Sequence, residues 1–491
     1  MKQWKILLNA LIAALSTAVT WSTIWFLGGG VQASLLGAVL ALTLSRRTFA
    51  NRGDFFRSAA ALPVIGVVAS GVGFLLVSAP PLGGILYVAG MSVPIWLRRF
   101  GPRAQQLGTL ITLPLIGVLI VPFPAHNQHT VPEWVTLATV MGASAIAVLW
   151  VAVGREIRAL LGALSSSTRT THHPPGPRQL TNTSRRLPSS TRMALQMAVA
   201  VAASFVLGWI IFPDHVMWVV LTAFIVTSGN RGRDDVLHKS VLRVSGALMG
   251  TILVSASTLL LSFHHESFSG AASILTIFVM IFVGDWLRAY SYAFWALTVT
   301  LILSLLEELI GGSAMSLSAP TFLYERVLAI VLGGALGVCS AWFIAPIRSG
   351  DVIRRRLSDM LDALAHTVTS SGAERVDTGE RLDDALHSVN EMAPAQRARR
   401  VLQSVRPHSK RQPLPIDVLD DVREIGAVLT QRTIWASNLA GDHPWCTPDA
   451  QETVLTSIRG ARRSLRPPAD WENIHSQFRE LAATVEECSI T

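Results

Sequence analysis

Residues 193–212 read MALQMAVAVAASFVLGWIIF, twenty positions with one strongly polar member, Gln196, set between Arg192 and Pro213. At ~1.5 Å of rise per residue, a helix of about twenty residues is as long as the ~30 Å hydrocarbon core of a bilayer is thick. The segment therefore predicts a helix that crosses a membrane. Similar apolar runs lie on both sides of it. Before it they cover 6–27, 31–44, 59–77, 83–97, 107–123 and 135–154, and after it 216–227, 244–263, 271–286, 293–305 and 324–344. Runs 31–44 and 216–227 are short for a bilayer, which calls for tilt, partial re-entry or extension by their flanks.

Composition agrees with this reading. Half of the 491 residues are hydrophobic, 15% are charged, and the mean hydropathy is +0.44, too apolar for an ordinary soluble chain. The net charge of +9 does not point to nucleic acid, because the basic residues sit in short segments between apolar runs, where they orient helices. Lysine occurs only at Lys2, Lys5, Lys239 and Lys410, and arginine supplies the rest of the 41 basic residues. Arginine suits two-pronged carboxylate recognition, although a GC-rich coding bias produces the same excess.

Basic residues mark the N-terminus, 46–57, 98–103, 155–192, 231–243, Arg288 and the tail from Arg348, while 78–82, 124–133, 213–215, 264–270 and 308–325 have none. This alternation predicts that both termini are cytoplasmic. The start resembles a signal peptide, but an equivalent run follows the central linker, so it reads as a retained first helix. The two halves also align. Arg57 matches Arg243, Trp96-Leu97-Arg98 matches Trp286-Leu287-Arg288, Glu133 matches Glu325, and Trp150 matches Trp342.

The expected fold is an all-α membrane protein of about twelve transmembrane helices, built as two parallel six-helix repeats, with a C-terminal cytosolic helical domain. The expected divisions are 1–154, first repeat; 155–191, cytosolic linker; 192–347, second repeat; and 348–491, the helical domain. Within that last region apolar residues recur at helical spacing, as in Ile353, Leu357, Met360 and Leu364, then Val418, Val422, Ile425 and Leu429, then Trp471, Ile474, Phe478, Leu481 and Val485. Thr447-Pro448 reads as an N-cap followed by a first-turn proline.

No phosphate-binding glycine loop, Gly-x-Ser-x-Gly elbow or H-E-x-x-H motif occurs, so no enzyme or P-loop ATPase is expected. No cofactor or metal is expected either. Cys339, Cys446 and Cys488 form no disulfide framework, and the doublets His172-His173 and His264-His265 lack ligand partners at suitable spacing.

Trp218-Val219-Val220-Leu221-Thr222, the charged segment 230–239, and Arg243-Val244-Ser245-Gly246-Ala247-Leu248-Met249-Gly250 carry a resemblance to the fusaric acid resistance protein family. That family includes bacterial aromatic carboxylic acid exporters and is distantly similar to plant aluminium-activated malate transporters. The last piece resembles the family's Arg-x-x-Gly-Thr-x-x-Gly, with Ala247 in place of threonine. The first half keeps Arg57 but has Ala60 and Val64 where the glycines would fall. The resemblance implies an organic-anion substrate and a bacterial cytoplasmic membrane.

The candidate substrate pathway comprises Arg57, Arg243, Arg98, Arg288, Trp218 and Thr222, since arginine rings select anions. The alternative is that these arginines only obey the positive-inside rule. Asp285, Glu307, Glu308, Glu325 and Arg326 are candidates for proton coupling or an outer gate, against an ion pair between Asp285 and Arg288 or solvated interfacial charges. Gly246 and Gly250 form a small-x-x-x-small pair for close helix packing.

The expected function is export of amphipathic organic anions, driven by the proton motive force. The expected partners are that small anion and membrane lipids, with a homo-oligomer or a cytosolic partner engaged through 348–491. A gated organic-anion channel and a non-transporting scaffold whose tail binds a partner are the rival readings.

Overall fold

The computed structural model describes residues 2–45, 52–120, 133–164, 188–263, 270–288, 291–311, 320–370, 374–404, 414–438, 447–466 and 468–490. The expected linker from 165, the outer loops around 124–132 and 312–319, and both histidine doublets lie outside them. The described residues are helical, without strands, and form two units.

The first unit takes in 1–230 and 239–345. Its helices are α1 (Lys2–Phe26), α2 (Gly30–Ser45), α3 (Arg52–Ser78), α4 (Pro80–Leu97), α5 (Pro102–Ile120), α6 (Glu133–Leu164), α7 (Ser189–Ile211), α8 (Val216–Thr227), α9 (Arg233–Phe263), α10 (Gly270–Leu287), α11 (Tyr292–Gly311) and α12 (Pro320–Phe343). In order, each apolar run of the sequence falls on one of them, apart from an end residue or two and 121–123, which lie outside the described residues. Seven of these helices, α1, α3, α4, α6, α7, α9 and α12, are long and apolar enough to cross a membrane, and α2, α5, α8, α10 and α11 are shorter apolar helices. The chain is thus a multi-pass membrane protein.

Among the described residues, α1, α2 and α6 pack on one another, and so do α7, α8 and α12. Helix α4 lies on α7, and α10 lies on α1. The centre of the unit is built around α8, which is apolar throughout and buried from Trp218 to Thr227, as a helix without a polar face must be. Tyr87 and Met91 of α4, Met197 and Phe205 of α7, and Ile330 of α12 share that core, with the Tyr87 and Phe205 rings edge-to-face at 5.5 Å.

Two charged segments that separate apolar runs in the sequence, 230–239 and 46–57, are helical in part. Segment 230–239 contains the beginning of α9, from Arg233, and α3 begins at Arg52. Asp234 and Asp235 in the first turn of α9 offset the positive end of its dipole, which favours continuing the helix past the apolar run.

The second unit comprises 231–238 and 346–491. It holds α13 (Ser349–Thr369), α14 (Glu374–Asn390), α15 (Ala393–Ser404), α16 (Pro415–Asn438), α17 (Pro448–Ser464) and α18 (Trp471–Ile490). Its core gathers Ile353, Leu357, Met360, Leu364, Val418, Val422, Ile425, Leu429, Ile474, Phe478, Leu481 and Val485, the residues spaced for helix burial in the sequence, and Trp471 packs against it half-buried. Thr447 caps α17 by accepting from Ala450 N, with Pro448 at the first position. The stretch 231–238 is held here by polar contacts. Asp234 pairs with Arg399 at 3.0 Å and accepts from Gln396 at 3.2 Å, its backbone N–H donates to Ser349 Oγ at 3.2 Å, and Arg231 pairs with Glu391 at 2.9 Å.

Candidate functional site

Helix α11 is apolar on most of its surface but carries Thr300, Ser304 and Glu307 on one face, in line with Ala296. The steps of four, four and three residues keep these positions on one side, over about 16 Å of axial rise. Three other helices bring polar groups to this stripe.

Helix α9 approaches through its glycines. A Cβ on Gly246 would stand 2.7 Å from Ala293 O and 2.8 Å from Ala296 Cβ, and one on Gly250 would stand 3.0 Å from Thr300 Cβ. Only glycine permits so close an approach of two helix backbones. Arg243 lies on the same face of α9, three residues before Gly246, and the approach inserts it beside α11. Its Nη1 donates to Ala296 O at 3.1 Å and to Thr300 Oγ1 at 3.3 Å. The side chain is fully buried, and its Nε and Nη2 have no hydrogen-bond partner among the described residues. No carboxylate among those residues pairs with it. A guanidinium presents five N–H donors, so most of the donor capacity of Arg243 stays unused among the described residues.

At the other end of the stripe the arrangement is complete. Arg326 of α12 is also fully buried, donates to Ser304 Oγ at 2.6 Å, and pairs with Glu307 through Oε2. Glu307 Oε1 accepts from Trp218 Nε1 at 2.9 Å, and the Arg326 guanidinium lies 4.7 Å from the centre of the Trp218 ring. Each carboxylate oxygen thus has its own donor. Helix α12 reaches α8 through Gly333, where a Cβ would stand 3.0 Å from Thr222 Cβ. Thr222, one turn after Trp218, is fully buried with its Oγ1 unpartnered.

Of the sequence candidates, the structure joins Trp218, Glu307 and Arg326 directly, and sets Arg243, Gly246 and Gly250 of α9 against α11, the helix that carries Glu307. Ser304 hydrogen-bonds Thr300 O at 2.9 Å, continuing the seam between the two arginines. Glu325, next to Arg326 in sequence, turns the other way. It is about half exposed and lies 3.7 Å from His215. Glu308 lies on α11, and its side chain is outside the described ones. Asp285 is half-buried near the end of α10, with Arg288 exposed in the turn after it.

The matched arginines do not share an environment. Arg57, the counterpart of Arg243 in sequence, is exposed and lies 3.5 Å from Asp54. Arg98 is half-buried at the end of α4 with its Nε unpartnered. Arg243 also sits ten residues inside its helix, not at the helix end that its position in a charged segment suggested. The sequence reading missed Ser304, Thr300 and His215. Thr300 and Ser304 share the spacing of Glu307, which is the signal that was available.

Among the described residues no cluster of His, Cys, Asp or Glu fits a metal ion. The seam offers hydrogen-bond donors and one carboxylate, which is chemistry for binding an anion.

A search of curated proteins finds no match. Residues 198–340 match the family model described as fusaric acid resistance protein-like. The matched region runs from α7 to α12 and contains every residue of the seam, so the part of the chain that holds the buried arginines is the part that is similar to this membrane transport-related family.

Proposed function

We propose that this protein exports amphipathic organic anions, aromatic or other carboxylates, across the cytoplasmic membrane of a bacterium. The observation that carries this reading is Arg243, a fully buried guanidinium that, among the described residues, has two unpartnered nitrogens and no paired carboxylate. A buried charge of this kind calls for a counter-ion, and in a transporter the counter-ion is the cargo. Exchange of the anion for an entering proton couples export to the proton motive force, whose electrical part contributes ~2.3 kcal/mol per charge for each 100 mV.

In this reading α1 to α12 are twelve spans in two parallel six-helix repeats, with both termini in the cytoplasm. The matched packing of α1, α2 and α6 with that of α7, α8 and α12 supports the repeat, as does the exchange of α4 on α7 for α10 on α1. The seam belongs to the second repeat alone, so the first serves as its structural complement.

The test is Arg243→Lys, which keeps the charge and removes the planar fork. Export of benzoate from proteoliposomes should fall by about tenfold, the effect of ~1.4 kcal/mol, with insertion unchanged. Unchanged export by the inserted variant rejects the reading. A gated anion channel is the second reading, favoured by the Arg326–Glu307 pair, which closes one end of the seam. Flux that follows the anion gradient and ignores an imposed pH gradient selects the channel.

A further inference from the structure

The Arg326 end of the seam is built as a cradle for a carboxylate. One oxygen of Glu307 is held by the guanidinium and the other by the Trp218 indole N–H at 2.9 Å, while Ser304 accepts from Arg326 at 2.6 Å and fixes its orientation. The indole ring lies against the guanidinium at 4.7 Å, so the cradle has an aromatic wall. Two donors on two helices, α12 and α8, hold a carboxylate from a third, α11.

A structural ion pair needs only the two charges, and a pair inside a protein is often replaceable by apolar groups at no loss. Separate donors for each oxygen, with an aromatic face beside them, are the pattern of carboxylate recognition. Thr300 and Ser304, which accept from Arg243 and Arg326 respectively, line one face of α11 between the two guanidiniums, so an anion leaving Arg243 has Arg326 ahead of it on the same face.

We propose that Arg326, Trp218 and Ser304 form a second anion station, that Glu307 occupies it in the resting protein as an internal stand-in for the substrate, and that an aromatic monocarboxylate passes by displacing Glu307. This rests on the export reading above. Transit is then an exchange of one carboxylate for another on the same donors, which avoids leaving Arg326 unpaired inside the membrane.

The competition is testable with the full-length protein in detergent and labelled benzoate as the probe. Glu307→Gln removes the internal competitor and keeps the shape, so benzoate should bind about tenfold more tightly than to wild type, a change of ~1.4 kcal/mol. Benzoate binding that is unchanged or weaker in the folded variant overturns the proposal. If Glu307→Gln is not produced in folded form, Glu307→Asp draws the carboxylate back from the cradle while keeping its charge. It should tighten benzoate binding by a smaller factor, and no tightening overturns the proposal equally. The two readings fail differently. Benzoate transport by wild type without tightening in the variants rejects only the stand-in, whereas no benzoate binding by any form rejects the export reading with it.

Discussion

Trp218 donates from Nε1 to Glu307 Oε1 across 2.9 Å, tying a helix that is wholly buried to the one carboxylate of the seam that is paired with Arg326. Trp218→Phe keeps a ring against the guanidinium and removes only this donor. Loss of a hydrogen bond to a charged group costs about 1.5–3 kcal/mol, so the variant should melt at a lower temperature. Thermal unfolding of the purified protein checks this. A variant as stable as wild type means that the indole N–H holds nothing.

The approach of α9 to α11 depends on Gly246, where a Cβ would meet Ala293 O at 2.7 Å. Gly246→Ala forces two helix backbones apart and should destabilise the protein by ~1–3 kcal/mol, with loss of benzoate binding because Arg243 moves with α9. Gly71→Ala is the control, because nothing lies within 4 Å of its added Cβ. Equal stability of the two variants contradicts the tight packing described for α9.

In the C-terminal unit, burial pushes the Asp421 carboxyl up to about 6, although His475, 3.5 Å away, and Arg479 oppose the shift. The folded value lies above the ordinary one of about 3.9, so the folded form holds the proton more tightly. This group's contribution to stability is then full below pH ~4 and is lost as pH rises through about 6, at a cost on the order of 2 kcal/mol. Asp421→Asn should therefore melt higher than wild type at pH 7.5 and lose most of that advantage by pH 4.5. Parallel melting curves at the two pH values exclude the effect.

The charge alternation predicts sidedness. With single cysteines placed at Asn127 and at Thr181, a membrane-impermeant maleimide applied to intact cells should label the first and leave the second untouched. The reverse pattern inverts the orientation and the direction of export with it.

The elements of the fold were legible because burial in lipid or in a helical core leaves a periodic mark. Each apolar run became a helix, and the spacing from Ile353 to Leu364 became one wall of a core. The seam was legible only in its members. Arg243 stood out because it opens a glycine-paired segment with a counterpart at Arg57, yet its burial followed from α11, which no local pattern reveals. Glu307, Glu325 and Arg326 stood together as candidates for coupling or an outer gate, but adjacent helical residues point about 100° apart, and packing turned Arg326 toward Glu307 and Glu325 toward His215. Thr300 and Ser304 resembled the many hydroxyls that bond their own helix, until Arg243 and Arg326 were placed against them.

Helix α9 has a divided allegiance: residues 231–238 belong to the C-terminal unit, and Arg243 follows only five residues later in the same helix. The C-terminal unit is therefore not a contiguous cassette. A gene fragment starting at 346 omits Asp234 and leaves Arg399 and Gln396 without the carboxylate they grip, while a truncation that ends the chain there strips the same partners from the turns preceding Arg243. Neither half can be excised or grafted onto another protein by a single cut without altering the other.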